Sequence, residues 1–232
     1  MRTQRIIGAV NWKYAVGEVV LIVVGILVAL AISDWNDRRV ARIEERALLA
    51  EVQTALGTDI ALLEADLEVF SDAAHKMQRL LDLLSSPSHN EPNLEQLFGA
   101  VYGFRTTNLN TYAYETLKSH GLQSIANSDL RAGIARVYDH HYQRLQEEHG
   151  IETEITLTVL RPYFLEHFRD LHIYRTATPI DFEAVANDPY FRNILNYRID
   201  VLRFNQLDSY PKAISEMRAV LAELDAYLSH ST

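Results

Sequence analysis

The sequence predicts an all-α protein in which one N-terminal transmembrane helix continues into an antiparallel helical bundle. Three observations predict this fold class. Residues 14–33 form an almost uncharged apolar stretch. Beyond it, apolar side chains recur at alternating spacings of three and four residues, which is typical of a helix with one buried face. Further along the chain, helix-capping residues and glycines repeatedly enclose segments with helical periodicity.

The apolar stretch runs from Tyr14 to Ser33 and contains a single charged residue, Glu18. Twenty helical residues rise about 30 Å, which is the thickness of the hydrocarbon core of a bilayer. Aromatic side chains that favour lipid headgroups flank the stretch, with Trp12 and Tyr14 at one end and Trp35 at the other. The bilayer is therefore an expected partner. The chain is divided into a short tail (residues 1–13), a transmembrane helix (14–33) and a helical domain (34–232).

A cleavable signal peptide is the alternative interpretation of the N-terminus. Ala29-Leu30-Ala31 has the small-x-small form of a cleavage site. The apolar stretch is, however, longer than the apolar region of a signal peptide, which is about 7–15 residues. It also contains Glu18, and the residues after it continue the helical pattern. These features favour an uncleaved anchor.

The first helix beyond the span is predicted from Trp35 to about Ser85, since Gly57 is the only residue there that weakens a helix. No proline separates this helix from the span, so the two are predicted to be continuous through Trp35 and Arg38. Apolar side chains form a continuous row along this helix, here called the apolar seam. The apolar seam is interpreted as the buried face of a bundle helix, because later helices can cover it. A coiled coil is the alternative. The apolar seam consists of Leu49, Val52, Leu56, Ile60, Leu63, Leu67, Phe70, Ala74, Met77, Leu81 and Leu84.

Caps and helix breakers predict the later helices. Residues 85–92 have the composition of a turn, and Asn93 is expected to cap a short helix that ends at Gly103. Gly121 is expected to end the next helix. Asn127 is expected to cap a long helix over residues 129–168. The predicted helices cover residues 94–102, 111–119, 129–168 and 189–228.

Prolines are expected to shape the last two predicted helices. Pro162 is expected to kink or break the helix over residues 129–168, and Pro211 to bend the final one. Asp188 followed by Pro189 is a strong start signal for that final helix. Residues 175–181 are expected to be a connector.

Charge indicates the class of partner and the orientation. The chain has 22 lysines and arginines against 31 aspartates and glutamates, with a formal net charge of −9. Nucleic acid is not an expected partner, because phosphate binding requires a basic face. The numbers of basic residues on the two flanks of the span are nearly equal, so this count alone does not decide the orientation. Because the tail carries Arg2, Arg5 and Lys13 but no acid, whereas the large domain is acidic, we predict the tail inside and the domain outside the cytoplasm.

Three segments carry a resemblance to a known family: GEVVLIVVGILVALAISDWN, YETLKSHGLQSIANSDLRAGIARVYDHHY and DPYFRNILNYR. The chain resembles a bacterial family of unknown function, DUF6090, over nearly its entire length. The resemblance implies a membrane-anchored helical protein without an assigned activity, and it supplies no catalytic residues. With the charge argument, it predicts a single-pass protein of the bacterial inner membrane with a periplasmic domain.

Glu18, Gly25, Ala29 and Ser33 are the candidate functional residues of the span. The last three have the four-residue spacing of small side chains that lets helices approach closely, and Glu18 lies two turns before Gly25. A carboxyl group in a span favours contact with protein or water. These residues therefore predict a helix-packing face. In the alternative interpretation, Glu18 simply reaches to the interface.

No pattern in the sequence predicts catalysis or a metal site. Asp139, His140, His141, Glu148 and His149 are close in sequence, but they lack a metal-binding spacing, and His141 is expected to pack on the inner face of its helix. The absence of cysteine excludes thiolate chemistry. We expect neither a cofactor nor an enzymatic function. The tyrosines expected in the core or at its boundary are Tyr112, Tyr114, Tyr138, Tyr142, Tyr190 and Tyr197.

The function favoured by the sequence is that of a membrane-anchored interaction or scaffold subunit of a membrane assembly. The span would mediate a homo-oligomer or contact a partner membrane protein. The alternative is an extracytoplasmic ligand-sensing bundle, which would signal through a partner because the tail is short. A pocket lined by convergent polar groups would favour the sensor.

Overall fold

The computed structural model describes residues 12–85, 91–105 and 107–229, of which 84% are helical. Two compact units are present, Met1–Ala47 and Leu48–Thr232, here called the N-terminal unit and the C-terminal unit. Most of the predicted tail (residues 1–13) and of the predicted turn (85–92) lies outside the described residues. The mostly helical fold and its long apolar N-terminal helix agree with the sequence.

The described elements follow one another along the chain with short connections. Leu122–Ser124 forms a 3-10 turn. Two π-helical segments, Val137–Tyr142 and Thr156–Leu160, join consecutive α-helices. The α-helices and strands are α1 (Trp12–Leu84), α2 (Leu94–Val101), α3 (Tyr112–His120), α4 (Ser128–Arg136), α5 (Gln143–Ile155), α6 (Arg161–His167), β1 (Phe168–His172), β2 (Thr176–Pro179), α7 (Phe182–Ala186), α8 (Pro189–Phe204) and α9 (Gln206–Ser229).

Helix α1 passes through Trp35 and Arg38 without interruption, as predicted. Within the C-terminal unit, its apolar seam belongs to the hydrophobic core. Leu49, Leu63 and Met77 are fully buried. The seam is therefore a covered face of α1 within the C-terminal unit, as predicted.

Local capping explains where several helices begin and end. The Asn127 carboxamide accepts hydrogen bonds from the amides of Asp129 and Leu130, at 2.9 and 3.1 Å. Asp188 accepts one from the Tyr190 amide at 2.8 Å, directly at the start of α8. Gly121 ends α3 with φ of +94°, a conformation that favours glycine. The capping predictions at Asn127, Asp188 and Gly121 are confirmed. The prediction at Asn93 is wrong, because its backbone is left-handed at φ +67° and its side chain makes no capping hydrogen bond to α2.

The segment predicted as one helix over residues 129–168 contains the two π-helical segments, which the sequence did not indicate. The second segment ends two residues before Pro162, which has no N–H to donate. There the Arg161 amide bonds the carbonyl oxygen of Thr156, five residues back. Wider winding thus lets helical structure continue past the proline to His167.

The all-α prediction is wrong for residues 168–179, which form an antiparallel β-hairpin. Phe168 pairs with Pro179 and His172 pairs with Thr176, with an irregularity between them. The strands have five and four residues, and Asp170 and Tyr174 have φ of +54°. Segments this short and irregular lack the period-two alternation that identifies a strand in sequence.

The final helix is divided in two, whereas the sequence predicted one helix bent at Pro211. The division occurs at Asn205, whose backbone is non-helical at φ −105° and ψ −93°. Pro211 lies inside α9. The short helix α7 was also not predicted; Asp181 caps it by accepting a hydrogen bond from the Ala184 amide at 3.1 Å.

Candidate functional site

The apolar segment of α1 has the longest run of exposed large hydrophobic side chains among the described residues. From Val16 to Ile32, its large hydrophobic side chains are between 42% and 75% exposed. The most apolar 18-residue window of the helix has a mean hydropathy of 2.7 and no buried residue. A helix that is apolar on all sides matches a hydrocarbon environment. Its length and composition suit a membrane span, although a signal sequence near an N-terminus has the same properties.

The predicted packing residues Glu18, Gly25, Ala29 and Ser33 are all exposed on this segment. A Cβ atom added at Gly25 would meet no atom within 4 Å, so the adjoining surface is open. Of the predicted interface residues, Trp12 and Trp35 are 76% and 60% exposed. The side chain of Tyr14 lies outside the described residues.

The interior of the C-terminal unit contains a second candidate, here called the buried polar network. It consists of four carboxylates and one guanidinium with the groups that bond them. Two of the carboxylates lie seven residues apart on α1, and two lie four residues apart on α5. The five residues, each at most 4% exposed, are Asp59, Asp66, Glu148, Glu152 and Arg198.

Arg198 occupies the most buried position of this network and is fully enclosed. Its Nη1 atom donates to Glu152 in a buried ion pair. Its Nη2 atom donates to the carbonyl oxygen of Gly103 at 3.0 Å and to the Tyr174 hydroxyl at 3.3 Å. Burial alone would lower the pKa of Arg198, but Glu152 and Tyr174 raise it overall, so the guanidinium stays charged. Burial raises the pKa of Tyr174 to about 12.

The carboxylates of α1 bind the loop that precedes α3. The amide of Asn110 and the hydroxyl of Tyr142 donate to Asp59 Oδ2 at 2.9 and 2.6 Å. Asp66 receives hydrogen bonds from Arg105 and from the hydroxyl of Thr107. Burial raises the pKa of Asp59, and its two hydrogen bonds only partly offset that effect. These contacts connect positions 39 to 83 residues apart along the chain.

Glu148 completes the network on the side of α9. It accepts a hydrogen bond from the Ser209 hydroxyl, and its Oε1 atom lies 2.9 Å from Arg144 Nε. Burial raises the pKa of Glu148 despite these partners. All four carboxylates therefore bond groups of the protein itself, an arrangement suited to fixing helices and loops in place.

The polar residues between Asp139 and His149 have different surroundings in the structure. Asp139 accepts a hydrogen bond from the Tyr114 hydroxyl at 2.7 Å, and His140 is exposed. His141 is half-buried rather than packed on the inner face, because the π-helical segment places Tyr142 there instead. Burial lowers the pKa of His141. No group of three or more His, Cys, Asp or Glu that could hold a metal ion occurs among residues 12–85, 91–105 and 107–229.

The sequence analysis identified the residues of the apolar segment but missed the buried polar network. The sequence did contain a sign of this network, since Asp59 and Asp66 are seven residues apart, on one face of the helix, and each adjoins a seam position.

The prediction that six tyrosines lie in the core or at its boundary is confirmed in part. Tyr114, Tyr138 and Tyr142 are buried, whereas Tyr112, Tyr190 and Tyr197 are exposed.

Comparison with known proteins gives one family match. The model of a family of unknown function, DUF6090, matches residues 18–154, which is more than half of the chain. No curated protein and no solved structure matches the chain. The matched region contains most of the apolar segment and the four carboxylates of the buried polar network, and Arg198 lies beyond it. The chain belongs to the family of unknown function DUF6090.

Proposed function

We propose that this chain is a single-pass membrane protein whose helical domain is an interaction or scaffold subunit of a membrane assembly. The exposed apolar segment of α1 carries the proposal. An apolar surface around a whole helix is unfavourable in water, but it needs no partner in hydrocarbon. The α-helices beyond the span would form an antiparallel bundle that presents a surface to other proteins.

The buried polar network supports a scaffold rather than a ligand-sensing bundle or an enzyme. A sensor or an active site requires polar groups that converge on a cavity. Asp59, Asp66, Glu148 and Glu152 instead bond side chains and backbone groups of the same chain. Such a network favours a rigid domain that keeps one shape.

We infer that the domain lies in the periplasm of a bacterium and that the span remains in the inner membrane. The motivation is the basic, acid-free tail and the acidic domain. Because the chain has no cysteine, Asn108→Cys creates a single exposed thiol in the domain. An impermeant thiol reagent is expected to label it on intact spheroplasts, whereas Thr3→Cys in the tail is expected to react only after lysis.

The same preparation separates an anchor from a signal peptide. The labelled chain is expected to stay in the membrane pellet after alkaline extraction. High pH weakens charge interactions with the membrane surface, but it does not remove a helix that spans the bilayer. Release of the domain at high pH would contradict the anchor. Protection of the thiol at position 108 until lysis would reverse the orientation.

The span is proposed to associate with another helix through Glu18, Gly25, Ala29 and Ser33. Lipid gives helices no hydrophobic reason to meet, so close backbone packing and hydrogen bonds must provide the attraction. Gly25→Ile is expected to weaken self-association about fivefold or more, as loss of about 1 kcal/mol would. Energy transfer between labelled copies in bilayers measures this association.

Matched variants separate packing from a general effect of side-chain size. Val24→Ile enlarges a neighbouring residue on another face and is expected to leave association unchanged. Glu18→Gln is expected to keep more of the association than Glu18→Leu, because an amide retains hydrogen bonding. A monomer in detergent and in bilayers, unaffected by Gly25→Ile, would argue against self-association and leave only a different membrane protein as partner.

A further inference from the structure

The helical turns directly after the apolar segment have strongly segregated charges. Residues 34–46 contain four arginines and four acids. At about 100° per residue, the arginines occupy an arc of about 100°, with Trp35 near its centre. The acids occupy a separate arc of the same width. The arginines are Arg38, Arg39, Arg42 and Arg46, and the acids are Asp34, Asp37, Glu44 and Glu45.

Three of these arginines, together with Trp35, form an exposed surface here called the arginine face: Arg38, Arg39 and Arg42. The Arg38–Asp34 pair is 4.0 Å long, and its side chains are 77% and 65% exposed, so it neutralises little charge. Arg42 Nε donates to the backbone oxygen of Arg38 at 3.2 Å, which leaves its charge in place. Arg46 is half-buried and is not part of this face.

The distance from the span fits the headgroup layer. With the hydrocarbon edge at Ser33, Arg38 and Arg39 lie about 8–9 Å further along the helix axis and Arg42 about 14 Å. The headgroup layer extends about 5–8 Å from each side of the core, and long arginine side chains reach back toward it. Arg42 lies within about one Debye length of that layer at physiological salt, so it still experiences the surface charge.

We propose that the arginine face binds the phosphate groups of anionic phospholipids, with Trp35 held at the interface among them. This inference rests on the proposed membrane span. Guanidinium groups form paired hydrogen bonds with phosphate oxygens. Arginines near an anionic surface each contribute about a fivefold preference for it. Because the acids lie on the other arc, the side of the helix with the arginines is left for anionic headgroups.

Lipid is a better match for this face than an acidic protein. The arginine face follows the apolar segment without a break in α1, so insertion of the segment brings the arginines to the headgroups. Its central residue, Trp35, is 60% exposed and has the amphipathic ring that settles at a membrane interface.

Fluorescence from Trp35 provides a direct test in the full chain. The chain contains only two tryptophans, so Trp12→Phe leaves Trp35 as the single donor. This variant is reconstituted in phosphatidylcholine bilayers with a trace of dansyl-labelled phosphatidylglycerol or, separately, dansyl-labelled phosphatidylcholine. Energy transfer is expected to be several-fold greater to the anionic lipid, and the difference is expected to shrink at high salt.

A matched pair of triple variants identifies the residues responsible. Arg38→Gln, Arg39→Gln and Arg42→Gln together are expected to bring the ratio of the two transfer signals close to one. Removing the same charge at the exposed residues Arg161, Arg169 and Arg203 is expected to leave the ratio unchanged. A preference that persists without the arginine face would overturn the assignment.

The outcome also distinguishes this inference from the proposed function. Equal transfer to both lipids, by a chain that resists alkaline extraction, would overturn lipid recognition and leave the span in place. A chain that is released by alkaline extraction would overturn the span and the lipid inference together. If the lipid signals are equal while the arginine variants reduce co-purification of an acidic protein, the face binds protein instead, and the lipid proposal is wrong.

Discussion

Replacement of Arg198 by methionine is expected to destabilise the C-terminal unit by about 3–5 kcal/mol, because it leaves the buried carboxylate of Glu152 without its cation. Arg198 is fully buried and also donates to Gly103 and Tyr174. In a unit of this size, the loss corresponds to a fall in Tm of roughly 6–20 °C. Near-ultraviolet circular dichroism of the detergent-solubilised chain follows the loss of aromatic packing.

A second variant separates the charge effect from the loss of packing. Adding Glu152→Leu to Arg198→Met removes both charges, and apolar replacement of a buried ion pair is often nearly neutral. The double variant is therefore expected to recover most of the lost stability. If the double variant were as unstable as Arg198→Met alone, the unpaired Glu152 carboxylate would not be the cause.

Gly99→Ala is expected to destabilise the same unit by about 3 kcal/mol, because the added methyl group would overlap the backbone of the hairpin. An ideal Cβ at Gly99 would lie 2.5 Å from backbone carbon atoms of Arg175 and Thr176. Backbone atoms cannot turn away as a flexible side chain can. Thermal unfolding is expected to shift down by roughly 6–12 °C.

The same substitution at Gly57 is the matched control. Gly57 lies in α1, and a Cβ there would meet no atom within 4 Å. Gly57→Ala is expected to stabilise by about 0.5–1 kcal/mol, since alanine loses less backbone freedom in a helix. A loss of stability at both positions would contradict the role assigned to the contact between α2 and the hairpin.

The parts of the fold that depend on local sequence were predictable. The apolar stretch, the seam of α1 and the caps at Asn127 and Asp188 all depend on residues a few positions apart. The hairpin was not predictable, because tertiary contacts hold it. The Tyr174 amide donates to the backbone oxygen of Tyr102 at 2.9 Å, and the ring of Phe168 packs 5.3 Å from that of Phe98.

The two candidate sites also differ in how far each could be predicted from the sequence. Glu18 and the small residues of the span were identified because their spacing along one helix is a local property. Glu152 and Arg198 are 46 residues apart, and charged side chains are rarely fully buried. Their pairing depends on the packing of α5 against α8 and the hairpin, which a single sequence does not specify.

The pairing of Glu152 with Arg198 bears on where an expressible fragment can end. The region shared with the family stops at residue 154, two residues after Glu152, and the cation that balances this acid is supplied by α8. A fragment cut at that boundary would lack the guanidinium and the aromatic rings of α6 and α8, Phe164 and Phe191. A fragment intended to fold on its own is therefore expected to extend past the shared region and to include α9, whose Ser209 donates a hydrogen bond to Glu148.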